Sequence, residues 1–205
     1  MTQLLRINSS CRLAGSHSAA IADAFEAGFR AKHPACTVIT KNVADGSIPF
    51  IAQSTIEGFY APQENLSEDQ KAATALSDKL IAEIQASDTL LLAAPIYNFT
   101  IPTALKAWVD QICRIGHTFA MDENGFQGLV TATRAIVICT YGAEGYLSGE
   151  PFEAANFVQP YLTFLLRFLG IEDVAFINVQ GTATSTPGDV EDRLNSAKEI
   201  ARLAA

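Results

Sequence analysis

No stretch of this 205-residue chain approaches the ~20 consecutive apolar residues that a membrane-spanning helix needs. The first residues, Met1 to Asn8, lack a basic region followed by an apolar stretch, so no signal peptide is expected there. Basic residues are scarce: 14 Lys and Arg against 22 Asp and Glu give a net charge of −8, which argues against nucleic acid as a partner. That balance does not exclude a small phosphorylated ligand, because backbone N–H groups at a helix start hold phosphate without net positive charge. The four cysteines, Cys11, Cys36, Cys113 and Cys139, form no CxxC pair and have no metal-ligand spacing. They read as reduced thiols of a cytoplasmic protein. No Ser-His-Asp set, carboxylate pair or metal cluster stands out.

What is present is an alternation of strand-like and helix-like stretches. Leu4 to Asn8 is short and apolar, and Ser18 to Ala31 carries apolar residues at helical spacing. Thr37 to Thr40 reads as a second strand. Asp45 to Asn65, broken by Pro49 and Pro62, reads as an irregular insert with room for short helix. Ser67 with Gln70 makes a capping box for a helix to about Gln85. Thr89 to Ala94 is an unbroken apolar run, as in a strand buried on both faces. Pro102 opens a further helix to about Ile115. Arg134 to Thr140 and Val174 to Val179 are expected as the fourth and fifth strands. A helix including Tyr161 to Leu169 lies between them, and Asp189 to Leu203 closes the chain. The pattern predicts a single α/β domain over residues 1–205: a flavodoxin-like, doubly wound, five-stranded parallel sheet in the order 2-1-3-4-5, with helices on both faces.

In such sheets ligands bind beyond the C-terminal strand ends, where the strand order reverses. Three loops there are unusual. Ser9 to Ser18 holds four hydroxyl side chains at a helix start, which suits either a terminal phosphate or plain helix capping. It contains neither GxGxxG nor a GK[ST] ending, so a dinucleotide held in the Rossmann manner and a Walker loop are both disfavoured. Pro95-Ile96-Tyr97-Asn98-Phe99-Thr100-Ile101-Pro102 sets two aromatics and an amide between prolines. That combination offers faces and polar edges to a planar heteroaromatic ligand, or else two core anchors. Thr140 to Tyr146 has two glycines that allow close backbone approach, though glycine after a strand also marks an ordinary turn.

These residues resemble the FMN-dependent NADH-azoreductases, also known as FMN-dependent NADH:quinone oxidoreductases, over essentially the whole chain. The matching parts are Ser10 with Ser16-His17-Ser18, Ala94 to Phe99, Leu105-Lys106 and Gly116 to Phe119. To these are added Glu123-Asn124-Gly125, Gly128-Leu129 and Pro160-Tyr161-Leu162 ahead of Phe168-Leu169-Gly170. The resemblance implies one non-covalent FMN per subunit and a homodimer with both active sites at the interface. Carried onto this sequence, Ser10, Ser16, His17 and Ser18 hold the phosphate. Pro95, Ile96, Tyr97, Asn98 and Phe99 line the ring and ribityl chain, and Thr140, Tyr141, Gly142 and Ala143 close over the pyrimidine edge. Asn98 supplies a backbone N–H near the reacting flavin nitrogen. Phe119 and Phe164 are either substrate walls or core and interface residues. His17 stands where some members carry Gln, and Tyr141 where some carry Arg, a lost charge that leaves the choice between NADH and NADPH open.

The implied activity is two-electron, ping-pong transfer from NADH or NADPH to a quinone or azo compound, with the cofactor carrying the chemistry. Alternatives are a reductase of flavin, nitro compounds or chromate, and a flavodoxin-type electron carrier. The insert over Asp45 to Asn65 speaks against the carrier, which needs no wall above its flavin. Trp108 reads as a core or dimer contact, Lys106 as solvated, His117 as a rim residue or a hydrogen-bond partner of substrate, and Cys11 as an unreactive loop residue or a reactive thiol.

Overall fold

The apolar runs of the sequence become parallel strands, the central ones buried on both faces. The computed structural model describes residues 2–123 and 125–205; Asn124, of the Glu123-Asn124-Gly125 motif, lies outside the described residues. The strands are β1 (Gln3–Asn8), β2 (Thr37–Asn42), β3 (Thr89–Pro95), β4 (Phe119–Asp122), β5 (Gly125–Gly128), β6 (Arg134–Thr140) and β7 (Asp173–Val179). The helices are α1 (His17–Lys32), α2 (Gln53–Tyr60), α3 (Glu68–Gln85), α4 (Thr103–Ile112), α5 (Val158–Phe168) and α6 (Pro187–Ala204). Five strands form one parallel sheet in the order β2-β1-β3-β6-β7, while β4 and β5 form a separate antiparallel hairpin. The strands expected as fourth and fifth are therefore β6 and β7, because the hairpin intervenes in the chain.

Alternate side chains of each strand serve opposite faces. Leu90, Leu92 and Ala94 of β3, with Val137 and Cys139 of β6, join a core shared with α3, α4 and α5. Leu91, Ala93, Ile136 and Ile138 join the other, shared with α1 and α6. Trp108 is buried in the first core, and Lys106 is an exposed partner of Asp110. Ser67 and Gln70 cap α3 reciprocally, at 3.2 and 3.0 Å. The insert contains α2, which packs on α3.

Helix α4 begins after Pro102 and ends at Ile112, earlier than its sequence suggests. Thr118 explains the stop: its hydroxyl donates to the Ile112 carbonyl at 2.6 Å and accepts the Arg114 N–H at 3.1 Å. Those bonds replace the next helical turn. Among the described residues no helix is long and apolar enough to cross a membrane, and no His, Cys, Asp and Glu cluster has the make-up of a metal site.

Candidate functional site

Beyond the C-terminal ends of β1, β3 and β6, three loops enclose a cavity of about 190 Å³. Ser10, Arg12, Ser16 and His17 form one end; Pro95, Ile96, Tyr97, Thr140 and Gly142 form the rest, closed by Thr182 and Ala183.

The first loop leaves β1 through Ser9, whose N–H and hydroxyl both bond the Ala93 carbonyl, at 3.1 and 2.8 Å. This double bond to β3 fixes where the loop departs. Ser16 then caps α1, its hydroxyl accepting the Ala19 N–H at 3.3 Å and lying 3.2 Å from the fully buried Ser18 hydroxyl. The first-turn N–H groups of α1 have no acceptor inside the helix, and the positive end of its dipole faces the cavity wall that Ser16 and His17 build. His17 titrates below the ordinary imidazole value, first because it is partly desolvated and then because Arg12 and Lys198 are close. This end of the cavity is electropositive in a chain of net charge −8.

The second loop turns on a pair of bonds between Tyr97 and Thr100, N–H to carbonyl at 2.9 and 3.2 Å. Asn98 (φ 47°) and Phe99 (φ 77°) occupy its centre, both left-handed. Asparagine takes that conformation readily; an aromatic residue holds it only under strain, on the order of 1–3 kcal/mol. The turn uses the N–H groups of Tyr97 and Thr100, which leaves those of Asn98 and Phe99 outside its own bonds. Phe99 is half exposed beside the cavity loops, and its carbonyl accepts the Phe157 N–H at 2.9 Å.

In the third loop, Thr140 accepts the Ile96 N–H at 2.9 Å, which joins the second and third walls. Gly142 lines the cavity, and a Cβ added there meets only the Ala183 Cβ, at 3.6 Å. The protein's own packing does not demand glycine at 142; a side chain would instead take up cavity space. Tyr141 is placed differently from its neighbours. Its side chain is fully buried and absent from the cavity lining; its phenol oxygen accepts bonds from Gln159 at 2.9 Å and Asn156 at 3.3 Å. Burial pushes the Tyr141 phenol above its usual range. What this residue offers the loop is backbone: its carbonyl accepts both the N–H and the hydroxyl of Thr182, each at 3.0 Å. Ala143 stands just outside the lining, its carbonyl bonded to the Gly181 N–H.

Of the site residues expected from sequence, Ser10, Ser16, His17, Pro95, Ile96, Tyr97, Thr140 and Gly142 thus share one cavity. Ser18 lies behind Ser16, bonded to its hydroxyl, and Asn98 and Phe99, in the turn that follows Tyr97, are not part of the lining. Phe119 is elsewhere. It opens the β4–β5 hairpin, with ring centroids 4.8 Å from Phe168 and 6.1 Å from Phe126, and lines a separate cavity with Phe59 and Tyr60 of α2. Phe126, Phe164 and Phe168 border a larger apolar cavity of about 670 Å³ between α5, the hairpin and residues 146–156. His117 is half-buried, and its carbonyl is taken by Gln85. Arg12, Thr182 and Ala183 are lining residues that the sequence did not single out. The first sits inside the serine loop, but the other two arrive through bonds from the residues after β7, for which no local pattern exists.

A family model described as a flavodoxin-like fold matches residues 2–203. An FMN-dependent NADH:quinone oxidoreductase of Azotobacter vinelandii is 40% identical over 206 residues, covering 100% of both chains. One of Xanthobacter autotrophicus is 44% identical over 174 residues, 85% of this chain and 84% of its own. The solved structure of an FMN-dependent NADH-azoreductase from Bacillus anthracis, in complex with FMN, superimposes with a TM-score of 0.86 at 26% identity, covering 100% of each chain. With a matching fold, a cavity at the strand ends and such relatives, the chain belongs to the FMN-dependent NADH:quinone oxidoreductase family.

Proposed function

We propose that this protein is an FMN-dependent oxidoreductase that takes electron pairs from NADH or NADPH and passes them to quinones or azo compounds. The observation that carries this reading is the single cavity with an electropositive, hydroxyl-rich end at the α1 N-terminus and an apolar, turn-lined remainder at the strand ends. The residues fit the cofactor. Ser10, Ser16, His17 and Arg12 would hold its phosphate, with the buried Ser18 hydroxyl supporting Ser16. Ile96, Tyr97 and Pro95 would border the ribityl chain and ring, and Gly142 keeps open the space that a side chain would fill. The N–H groups of Asn98 and Phe99 would donate to the ring edge, with Thr140, the Tyr141 backbone and Ala143 shaping the opposite wall.

Bound FMN supplies the acceptance of a hydride from reduced nicotinamide and the delivery of the electron pair to the acceptor. The chain's own contribution is placement: rigid loops at the ends of buried strands hold the ring edge, and the Phe99 strain is stored where that edge is fixed. Substrates would alternate at one face, in a ping-pong cycle.

The whole chain would act as one domain and pair as a homodimer. Phe126, Phe152, Phe157 and Phe164 are each more than half exposed, more apolar surface than a lone subunit gains from leaving in water. Phe119 and Phe164, distant in the lining from the cofactor cavity of their own subunit, would then face that of the partner. Four free thiols and an acidic surface are consistent with a cytoplasmic setting.

The test is a visible spectrum of the protein with added FMN, then anaerobic NADH, then menadione. Bleaching by NADH and recovery with the quinone is the expected result. Binding without bleaching by either nicotinamide nucleotide would favour an electron carrier, and absence of FMN binding would overturn the reading.

A further inference from the structure

Phe99 keeps its left-handed backbone against a steric cost, and such conformations persist only where their surroundings determine them. The two bonds between Tyr97 and Thr100 close the turn but leave the Phe99 carbonyl outside it. That carbonyl accepts the Phe157 N–H at 2.9 Å, from the residue that precedes α5. The strained turn is thus tied to a segment that joins the third loop to a helix.

What fixes Phe157 is its neighbour Asn156, which is buried. Its Oδ1 accepts the Val158 and Gln159 N–H groups at 3.2 and 3.3 Å. These are first-turn donors of α5 that Phe157, in the cap position, has no polar side chain to serve. The same two bonds span Phe157 and hold its peptide in place. Nδ2 of Asn156 donates to the Tyr146 carbonyl at 3.1 Å and to the Tyr141 phenol oxygen at 3.3 Å. One buried amide therefore has both ends committed, one to the start of α5 and the other to the third loop.

We propose that Asn156 is a positioning residue of the redox site. By fixing the Phe157 N–H on the Phe99 carbonyl, it holds the turn that presents the Asn98 and Phe99 N–H groups to the flavin ring edge. The inference rests on the FMN reading above and goes beyond it. Asn156 is absent from the lining of the cofactor cavity and borders the larger apolar one instead, so it acts on the ring through the turn. Reduction adds electron density to the ring edge, and N–H donors stabilise it best when they are already in place. A loosened turn gives up more of that stabilisation in the reduced form than in the oxidised one, so the midpoint potential falls.

The experiment measures the midpoint potential of the FMN-loaded full chain, its anaerobic bleaching rate with NADH, and its thermal melt. Phe157→Pro removes the N–H alone from this arrangement. A helix start tolerates proline, and Asn156 already has the extended backbone that a residue before proline takes. Phe157→Ala loses the same ring but keeps the N–H, and is the matched control. Asn156→Ala removes the amide, and Asn156→Ser restores a capping oxygen.

Phe157→Pro and Asn156→Ala are each expected to favour oxidised over reduced FMN by about tenfold, a fall of about 30 mV for a two-electron couple. Bleaching should slow by about tenfold in both, while Phe157→Ala keeps the original potential and Asn156→Ser regains most of it. The inference is overturned if Phe157→Pro and Phe157→Ala share one potential, or if Asn156→Ala lowers only the melting temperature. Should Asn156→Ala not fold, the Phe157 pair still decides. FMN that fails to bind the unaltered chain would instead remove the functional reading itself.

Discussion

The phenol oxygen of Tyr97 lies 3.3 Å from Ser10 Oγ and accepts the Cys11 N–H at 3.2 Å. One side chain from the turn after β3 thus anchors the loop after β1, so two walls of the cavity are held in register by a single oxygen. Tyr97→Phe keeps the ring and removes the anchor. Each such bond contributes about 1 kcal/mol, so FMN affinity is expected to fall by about five- to tenfold with little change in melting temperature. Dialysis and a thermal melt check both; an unaltered Kd would show that the loop holds its shape without Tyr97.

His17 gives the site a pH dependence. Its imidazole is uncharged at neutral pH in the free protein, since desolvation, Arg12 and Lys198 all lower its titration below 6.5. A bound phosphate dianion favours the imidazolium and raises that value, so protonation of His17 strengthens binding as pH falls. The phosphate itself works the other way, losing a charge below about pH 6. From about pH 7.5 to about pH 5.5 the unaltered protein is expected to lose less FMN affinity than His17→Gln, which keeps a donor but cannot take up the proton. Superimposable pH profiles would place His17 away from the phosphate.

Sequence periodicity sufficed for the three central strands because they bury both faces and read as apolar runs, Leu90 to Ala94 most plainly, while β2, with no fully buried residue, was marked by its β-branched Thr37 to Thr40. The serine loop and the Pro95–Pro102 turn were legible because both sit directly at strand ends. The β4–β5 hairpin was not: Phe-Ala-Met-Asp and Gly-Phe-Gln-Gly are too short and irregular to show alternation. Nor does local sequence tell which way Tyr141 faces. Its phenol is claimed by Asn156 and Gln159, 15 and 18 residues further on, which come near only once α5 has packed on the sheet.

Tyr141→Phe separates that structural role from a ligand role. Both donors keep another acceptor, Asn156 the Tyr146 carbonyl at 3.1 Å and Gln159 the Asn178 amide oxygen at 3.0 Å. The loss is therefore expected at the low end for buried hydrogen bonds, about 1 kcal/mol, or about 2–4 °C in melting temperature. FMN affinity should stay within about twofold. A large loss of FMN with an unchanged melt would put the phenol at the cofactor.

Phe119→Ala removes a ring from the Phe126 and Phe168 cluster without touching the cofactor cavity. If the hairpin walls the acceptor site, KM for a benzoquinone rises by about tenfold while FMN affinity holds, as lost aromatic packing of about 1–1.5 kcal/mol predicts. Equal steady-state constants for the two proteins would make Phe119 a packing residue only.

Gly128 and Gly170 bring the hairpin and the end of α5 into backbone contact. A Cβ at 128 would fall well inside van der Waals distance of the Gly170 nitrogen and the Leu169 carbonyl carbon, neither of which can swing aside. The Val130 N–H bonds the Leu169 carbonyl at 3.0 Å just beyond, so the strand leaving the hairpin is tied to the same point. Gly128→Ala must therefore displace the hairpin rather than a side chain. Overpacking of this kind costs about 1–3 kcal/mol, and rigid backbone on both sides places it near the upper end. Quinone turnover should fall further than FMN binding, because Gly128 pairs directly with Phe119 across the hairpin. Gly188→Ala, which meets nothing within 4 Å in the first turn of α6, is the matched control and should melt no lower than the unaltered protein. Equal melting temperatures for the two variants would mean that the hairpin is not held by this contact.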